Sequence, residues 1–364
     1  MDFRRRELLL GSAAGAALAA CAPRPQPVVP SAAGEAPRKW KMVTSWPPGF
    51  PGLGAGAKRL AGMIGAASGG RIEVEVFAGN ELVAPFEVFD AVADGTAQMG
   101  HSASYYWQAK SPATPFFCAV PFGLNAQEMS AWLHHGGGLE LWRELYAGFG
   151  LVPFPAGNTG VQFAGWFNRE INSVGDLRGL KMRIPGLGGE VMARLGALPV
   201  ELPATEIYTA LQSGKIDASE WMGAYNDADV GLFRVAKYCY FPGWQEPGPV
   251  LECTIHKPAW DALPEDLKAV VSTCCRALHD DMLAEYTVQN QQALAQLVGK
   301  HGVDVRPLPA AVLTALRDAS DALLAEIAAQ DPFARRVYES FSTFRAQTRA
   351  WHIVSELAYY QARG

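Results

Sequence analysis

Asp176-Leu-Arg-Gly-Leu-Lys-Met-Arg-Ile-Pro185 reads as a loop feeding a short strand, Leu180 to Ile184. Pro185-Gly186 ends it, because proline cannot donate to a ladder and glycine turns the chain. Helical stretches follow at Glu190 to Leu195 and Thr205 to Ser213, and the next strand runs from Ile216 to Trp221. This strand–helix–strand alternation is the signature of α/β layers.

The alternation extends outward from that centre. Upstream, Lys39 to Ser45 reads as a strand and Leu53 to Ile64 as a helix. Arg71-Ile-Glu-Val-Glu-Val-Phe77 alternates with period two, as a half-buried strand does. Pro85 to Ala93 is a short helix with proline at its start, and Ala97 to Ser102 a buried strand. Gln127 to Tyr146 is helical around Gly136-Gly137-Gly138, and strands follow near Leu151 to Pro155 and Val161 to Phe167. Downstream, Tyr238 to Phe241 and Val250 to His256 are strands. After Leu263-Pro264 the pattern turns helical: Glu265 to Lys300, a short strand at Val303 to Val305, then Pro309 to Gln330 and Pro332 to Ala362. On the last helix Trp351, Val354, Leu357 and Tyr360 recur every three residues, an apolar stripe that needs a partner. That partner is a second copy of the chain or the helix's own lobe.

The N-terminus is built differently. Arg4, Arg5 and Arg6 precede an uncharged stretch, Leu8 to Leu18, too short to span a bilayer but long enough for a signal-peptide core. Leu18-Ala19-Ala20-Cys21 resembles the lipobox of bacterial lipoproteins, and Pro23 disfavours ordinary cleavage after Ala22. Residues 1–21 are therefore expected to be a signal peptide ending in a lipidated Cys21, with soluble release as the alternative. The arginine pair leaves twin-arginine and general export both open. Residues 22–38, rich in Pro, Ala and Ser, read as an extended tether.

Composition limits the function. The net charge of −5 offers no basic excess to neutralise phosphates, which excludes a nucleic-acid partner. After Cys21 the cysteines stand at 118, 239, 253, 274 and 275, in no metal-binding spacing. Export permits a Cys239–Cys253 disulfide; five buried thiols are the alternative. Gly52-Leu-Gly54-Ala-Gly-Ala57 matches a dinucleotide fingerprint, but Pro47, Pro48 and Pro51 separate it from the strand that the mechanism requires. No G-x-S-x-G or H-E-x-x-H occurs, and His134-His135 has no ligand spacing and reads as exposed or capping.

Polar residues at strand ends carry the functional reading. Asn158 and Gln162 lie between two strands, and Arg183 sits within one. Glu220-Trp221 ends another, and Gln245-Glu246 follows a fourth. Ligands of α/β proteins bind at such ends. A guanidinium donates two parallel hydrogen bonds to a carboxylate. Carboxylate, amide and carbonyl oxygens suit Na⁺ or Ca²⁺. The competing reading makes Arg183 a residue of a solvated strand face, paired with Glu190.

From about Trp40 to Glu356 the chain resembles the extracytoplasmic solute receptors of TRAP (tripartite ATP-independent periplasmic) transporters. The likeness is carried by Ser68-Gly-Gly-Arg-Ile72, Ala91-Val-Ala-Asp-Gly95 with Met99-Gly-His101, Tyr106-Trp107, and Phe116-Phe117 with Val120-Pro-Phe-Gly123. It continues through Gly157-Asn-Thr-Gly160, the Asp176-to-Pro185 run, Leu211-Gln-Ser-Gly-Lys-Ile-Asp-Ala218 and Glu220-Trp221. The resemblance implies a periplasmic, two-lobed α/β substrate-binding fold with mixed sheets, an interlobe crevice and long C-terminal helices. Residues 39–364 form the binding region. Lobe I is expected at about 39–158 with part of 250–310, lobe II at about 159–249 and the C-terminal helices at about 308–362. It implies Arg183 as the grip on a ligand carboxylate. Its 2-oxo and 2-hydroxy acid branch further implies Gln162, Glu220 and the Trp221 carbonyl as ligands of a bridging Na⁺ or Ca²⁺. Asn158, Tyr105, Tyr106 and Glu246 are further pocket candidates, and a TRAP membrane permease and a second copy are the implied partners. Two rival readings remain at this stage, an exported enzyme acting on small organic acids and a sensory binding protein.

Overall fold

The computed structural model describes residues 36–364. The expected signal peptide, Cys21 and most of the tether lie outside them. The described chain is an α/β structure with two mixed sheets.

The first sheet has the order β2-β1-β3-β10-β4. Its strands are β1 (Arg38–Thr44), β2 (Ile72–Phe77), β3 (Met99–Ser102), β4 (Leu151–Asn158) and, from much later in the chain, β10 (Val250–His256). β1 runs parallel to β2 and β3, whereas β10 is antiparallel to β3 and β4. The second sheet comprises β5 (Gly165–Phe167), β6 (Lys181–Arg183), β7 (Leu198–Val200), β8 (Ala218–Ser219), β9 (Tyr238–Phe241) and β11 (Asp304–Pro307). Its order is β11-β9-β5-β8-β6-β7. The chain thus passes from one sheet to the other between Asn158 and Gly165, returns between Phe241 and Val250, and crosses once more between His256 and Asp304. The first two passages carry candidate site residues.

Period-two alternation predicted β2 well, since its edge strand keeps one face wet. Two central strands are shorter than expected. Val161 to Phe167 contributes only Gly165–Phe167, and Ile216 to Trp221 only Ala218–Ser219. The missing residues leave the ladder because their backbones bind elsewhere. Gln162 N–H donates to the Glu246 carbonyl and Phe163 N–H to the Met222 carbonyl.

The helix Glu265–Gly299, 35 residues long, extends about 52 Å at 1.5 Å per residue. Its buried side chains include Leu267, Val271, Leu278, Met282 and Tyr286, which recur at helical spacing. It packs against the helix Leu53–Ala67, and this explains the glycine fingerprint. A Cβ on Gly52, whose φ is +71°, would lie 2.4 Å from the Tyr286 hydroxyl, and one on Gly56 2.4 Å from the Met282 methyl. These glycines let two helices approach; they cradle no phosphate.

The expected C-terminal helix is divided. It forms Pro332–Val354 and Glu356–Arg363, broken at Ser355. No residue of the terminal segment is buried, so packing does not hold it in line. Trp351, Val354, Leu357 and Tyr360 are all half or more exposed. A Cys239–Cys253 bridge is excluded by topology, because β9 and β10 belong to different sheets and the five described thiols are free and buried. Among the described residues no helix is long and apolar enough to cross a membrane.

Candidate functional site

Arg183 ends β6, where its register neighbour on β8 is Ser219. It is not on a solvated face: only 1% of it is exposed. Its partner is Glu220, not Glu190, which instead contacts Gln108. Strand pairing brings the two together, since Glu220 N–H donates to the Arg183 carbonyl at 3.1 Å. The guanidinium Nε donates to the Leu202 carbonyl at 3.1 Å, and Nη1 to both the carbonyl and the carboxylate Oε1 of Glu220. Its carbon lies 5.3 Å from the Trp221 ring. Nη2 has no partner in the described chain. A buried guanidinium N–H without an acceptor is costly and rare.

Around this arginine several oxygens are also buried and unpartnered: Glu220 Oε2, Glu246 Oε2, Gln162 Oε1 and Gln245 Oε1. Gln162 uses only its amide nitrogen, toward Thr159 Oγ1 at 3.3 Å, and Gln245 donates to the Phe163 carbonyl at 2.8 Å. The Trp221 carbonyl accepts no hydrogen bond within the described residues. Tyr105, Tyr106, Gln162, Trp221 and Glu246 line one cavity of about 10 Å³, roughly the space of a single water. The two sheets and the first two passages between them therefore converge on one crevice, which is shut; Arg183 and Glu220 are not among its lining residues.

The electrostatics follow from burial. Desolvation raises the Glu220 carboxyl to about 7 although Arg183 pulls it down. Glu246 is held well above the usual carboxylate range, first by burial and then by the charge of Glu220. Burial weakens the Arg183 cation, but Glu220 and its neighbours outweigh that and keep it charged. Burial lifts the Tyr105 phenol well above its ordinary range and Tyr106 to about 12, so both remain neutral hydrogen-bonding groups. Two carboxyl groups thus share one arginine in a water-poor site. The set has an excess of oxygen donors, which fits a hard cation. Among the described residues no cluster of three His, Cys, Asp or Glu exists, so any cation would draw on amide and carbonyl oxygens too.

Asn158 differs from Arg183, Gln162, Glu220 and Glu246 in leaving no side-chain polar atom free. Its amide donates to the Gly248 carbonyl at 3.1 Å and accepts from Gly160 N–H at 2.8 Å. Both ends are engaged in tying the two passages together, and it does not line the cavity. Gln245 and Glu246, which follow a strand, are both buried, and Glu246 faces the cavity. Sequence reasoning missed Asp227 and Glu252. Glu252 accepts from Trp107 Nε1 at 2.5 Å and from the Tyr146 hydroxyl at 2.8 Å, and so fixes the turn that carries Tyr105 and Tyr106. An acid in the middle of a buried strand was the available signal. Asp227 offered none, since an acid early in a helix is ordinary. His134 and His135 end the helix Ala126–His135.

Residues 42–331 match the family of bacterial extracellular solute-binding proteins, family 7. A monocarboxylate 2-oxoacid-binding periplasmic protein of Nostoc sp. (strain PCC 7120) is 43% identical over 358 residues, 98% of each chain. The structure of a TRAP periplasmic solute-binding protein from Pseudoalteromonas atlantica, with sodium and pyruvate bound, superposes with a TM-score of 0.87 at 42% identity. That match covers 90% of this chain and 99% of the other. A TRAP solute-binding protein from Bordetella bronchiseptica is 37% identical, with a TM-score of 0.88 over 90% of this chain and 98% of its own. It is a mixed-occupancy dimer with calcium and picolinate in one site and the other apo.

Proposed function

The chain belongs to the bacterial extracellular solute-binding proteins, family 7, and on that premise we propose that it is a periplasmic receptor for a small 2-oxo or 2-hydroxy carboxylate. It holds the ligand together with Na⁺ or Ca²⁺ and delivers it to a TRAP-type membrane permease. The observation that carries the reading is the opposition of one free guanidinium N–H, Arg183 Nη2, to a set of buried free oxygens. The former takes a carboxylate. Gln162 Oε1, Glu220 Oε2 and the Trp221 carbonyl take the cation, which when bound offers its positive charge to the two oxygens of an α-oxo or α-hydroxy acid. A simple fatty acid lacks the second oxygen and is discriminated against.

Charge balance is compatible with either ion. Ionised Arg183, Glu220 and Glu246 sum to −1, and a ligand carboxylate makes −2. Calcium cancels that sum; sodium cancels it only if one carboxyl keeps its proton, and Glu246 is the group whose burial favours doing so. Tyr105, Tyr106 and Glu246 shape the pocket, and Asn158 holds the passages on which the lobes turn. Six ligand atoms need several times the space of the shut cavity, so entry requires the lobes to part and binding to close them. Closure excludes water and strengthens the Arg183–carboxylate bond.

The proposal includes a lipid anchor at Cys21 and a homodimer formed through the exposed C-terminal stripe. A thermal-shift screen of small carboxylates tests it, with and without Na⁺ and Ca²⁺. A true ligand at 100 times its Kd adds about 2.7 kcal/mol of stability. Pyruvate and lactate should stabilise the protein where acetate does not.

A further inference from the structure

We infer that Asp227 is a positioning residue for the cation site, acting through the peptide bond between Trp221 and Met222. The inference rests on the cation reading proposed above. Asp227 opens no path to solvent: it is 0% exposed and sits in the helix Ala224–Val230. Its two carboxylate oxygens do separate work. Oδ2 accepts from Trp166 Nε1 at 2.7 Å, and Oδ1 accepts from the backbone N–H of Met222 at 3.1 Å. It forms no ion pair among the described residues.

The Met222 N–H and the Trp221 carbonyl belong to one peptide unit. That unit is planar and trans, the described chain's single cis bond lying at Phe241-Pro242. A carboxylate that fixes the N–H therefore fixes the carbonyl in the opposite direction. The neighbouring carbonyls show why this one matters. Glu220 offers its carbonyl to Arg183 Nη1 and, at 2.7 Å, to Ser219 Oγ. Met222 offers its own to Phe163 N–H at 2.7 Å. Of these three consecutive carbonyls only that of Trp221 is left free, and it is the one whose peptide Asp227 grips. A negative charge on the N–H also polarises the amide and makes the carbonyl oxygen a better cation ligand.

Burial lifts the Asp227 carboxyl to about 7, so the comparison is made at pH 8; there its charge favours calcium over sodium, because the interaction of a charge with an ion scales with the ion's charge. The test is Asp227→Asn, which keeps the shape, removes the charge and must turn an amide NH₂ toward one of the two donors. Chelator-stripped protein is titrated with CaCl₂ and separately with NaCl, followed by calorimetry and tryptophan fluorescence. Calcium affinity should fall about 10–100-fold, sodium affinity by a smaller factor, and Trp166→Phe, which spares the Met222 contact, should change the ratio of the two little. Unchanged calcium affinity in Asp227→Asn, or an equal loss for both ions reproduced by Trp166→Phe, would overturn the inference alone. Wild-type protein that binds neither ion, with or without pyruvate present, would overturn the cation reading with it. A second measurement needs no variant: in protein labelled with [¹⁵N]methionine, the Met222 amide resonance should move on calcium saturation. A Met222 resonance that stays in place would equally overturn the inference.

Discussion

Arg183→Lys isolates the geometry of the guanidinium from its charge. The ammonium can still meet the Glu220 carboxylate, so no buried acid is abandoned. It cannot also reach the Leu202 carbonyl, now bonded at 3.1 Å, or present the free second nitrogen. The fold should lose one charged hydrogen bond to a backbone carbonyl, roughly 1–3 kcal/mol. Set against a typical total of about 5–15 kcal/mol, that leaves the protein folded. The ligand should lose its paired contact, roughly 2–5 kcal/mol or about 30- to 5,000-fold in affinity. Arg183→Ala is the cruder probe. It strands Glu220 in the interior, a cost of about 3–5 kcal/mol, moderated because that carboxyl, raised to about 7, readily takes a proton. The assay is calorimetric titration with pyruvate at saturating calcium, beside urea unfolding of the same preparation. Wild-type affinity in a folded Arg183→Lys protein would refute the assignment of Arg183 as the carboxylate grip.

Other expectations are as direct. Burial raises the Glu252 carboxyl from 4.5 to about 7. The folded protein therefore binds more protons than the unfolded chain between those values, and stability falls as pH rises from about 4.5 to 7. At about 1.4 kcal/mol per unit this penalty amounts to roughly 3–4 kcal/mol. Glu252→Gln should lose less stability between pH 5 and pH 8 than wild type, and parallel unfolding curves would contradict that. The C-terminal stripe, with Trp351 64% and Val354 70% exposed, should bury against a second copy. Light scattering at micromolar concentration should give a dimer mass, and Trp351→Glu with Val354→Glu a monomer. Mass spectrometry of membrane fractions should find a diacylglycerol adduct on Cys21; a soluble mature chain beginning well beyond that residue would count against the anchor.

Much of the architecture was legible because its signals are local. Alternation in Ile72–Phe77 and the long periodicity of Glu265–Gly299 reflect which side chains meet water, and that is written in neighbouring residues. The strands around the site were over-extended for the opposite reason. Gln162 and Phe163 leave the ladder because Glu246 and Met222, 84 and 59 residues away, accept their N–H groups. No local pattern encodes such a partner. The same holds for Arg183: its sequence context allowed either a surface ion pair with Glu190 or a buried anchor, and only strand order sets it beside Glu220. Asn158 carried the right motif for the wrong task, since its amide is consumed by Gly248 and Gly160. Glu252 offered one signal, an acid in the middle of a buried strand, whereas Asp227 offered none, because its contacts pass through Trp166 and the Met222 backbone.

Ligand binding by this receptor should need a cation. Thoroughly dialysed protein, held in chelator and Tris buffer, should be titrated with pyruvate by calorimetry, and the titration repeated after Na⁺ or Ca²⁺ is restored. The expected result is weak or absent heat without a cation, tight 1:1 binding with either ion, and loss of that rescue in Glu220→Ala. Equal pyruvate affinity with and without cation, unchanged in Glu220→Ala, would contradict the central claim.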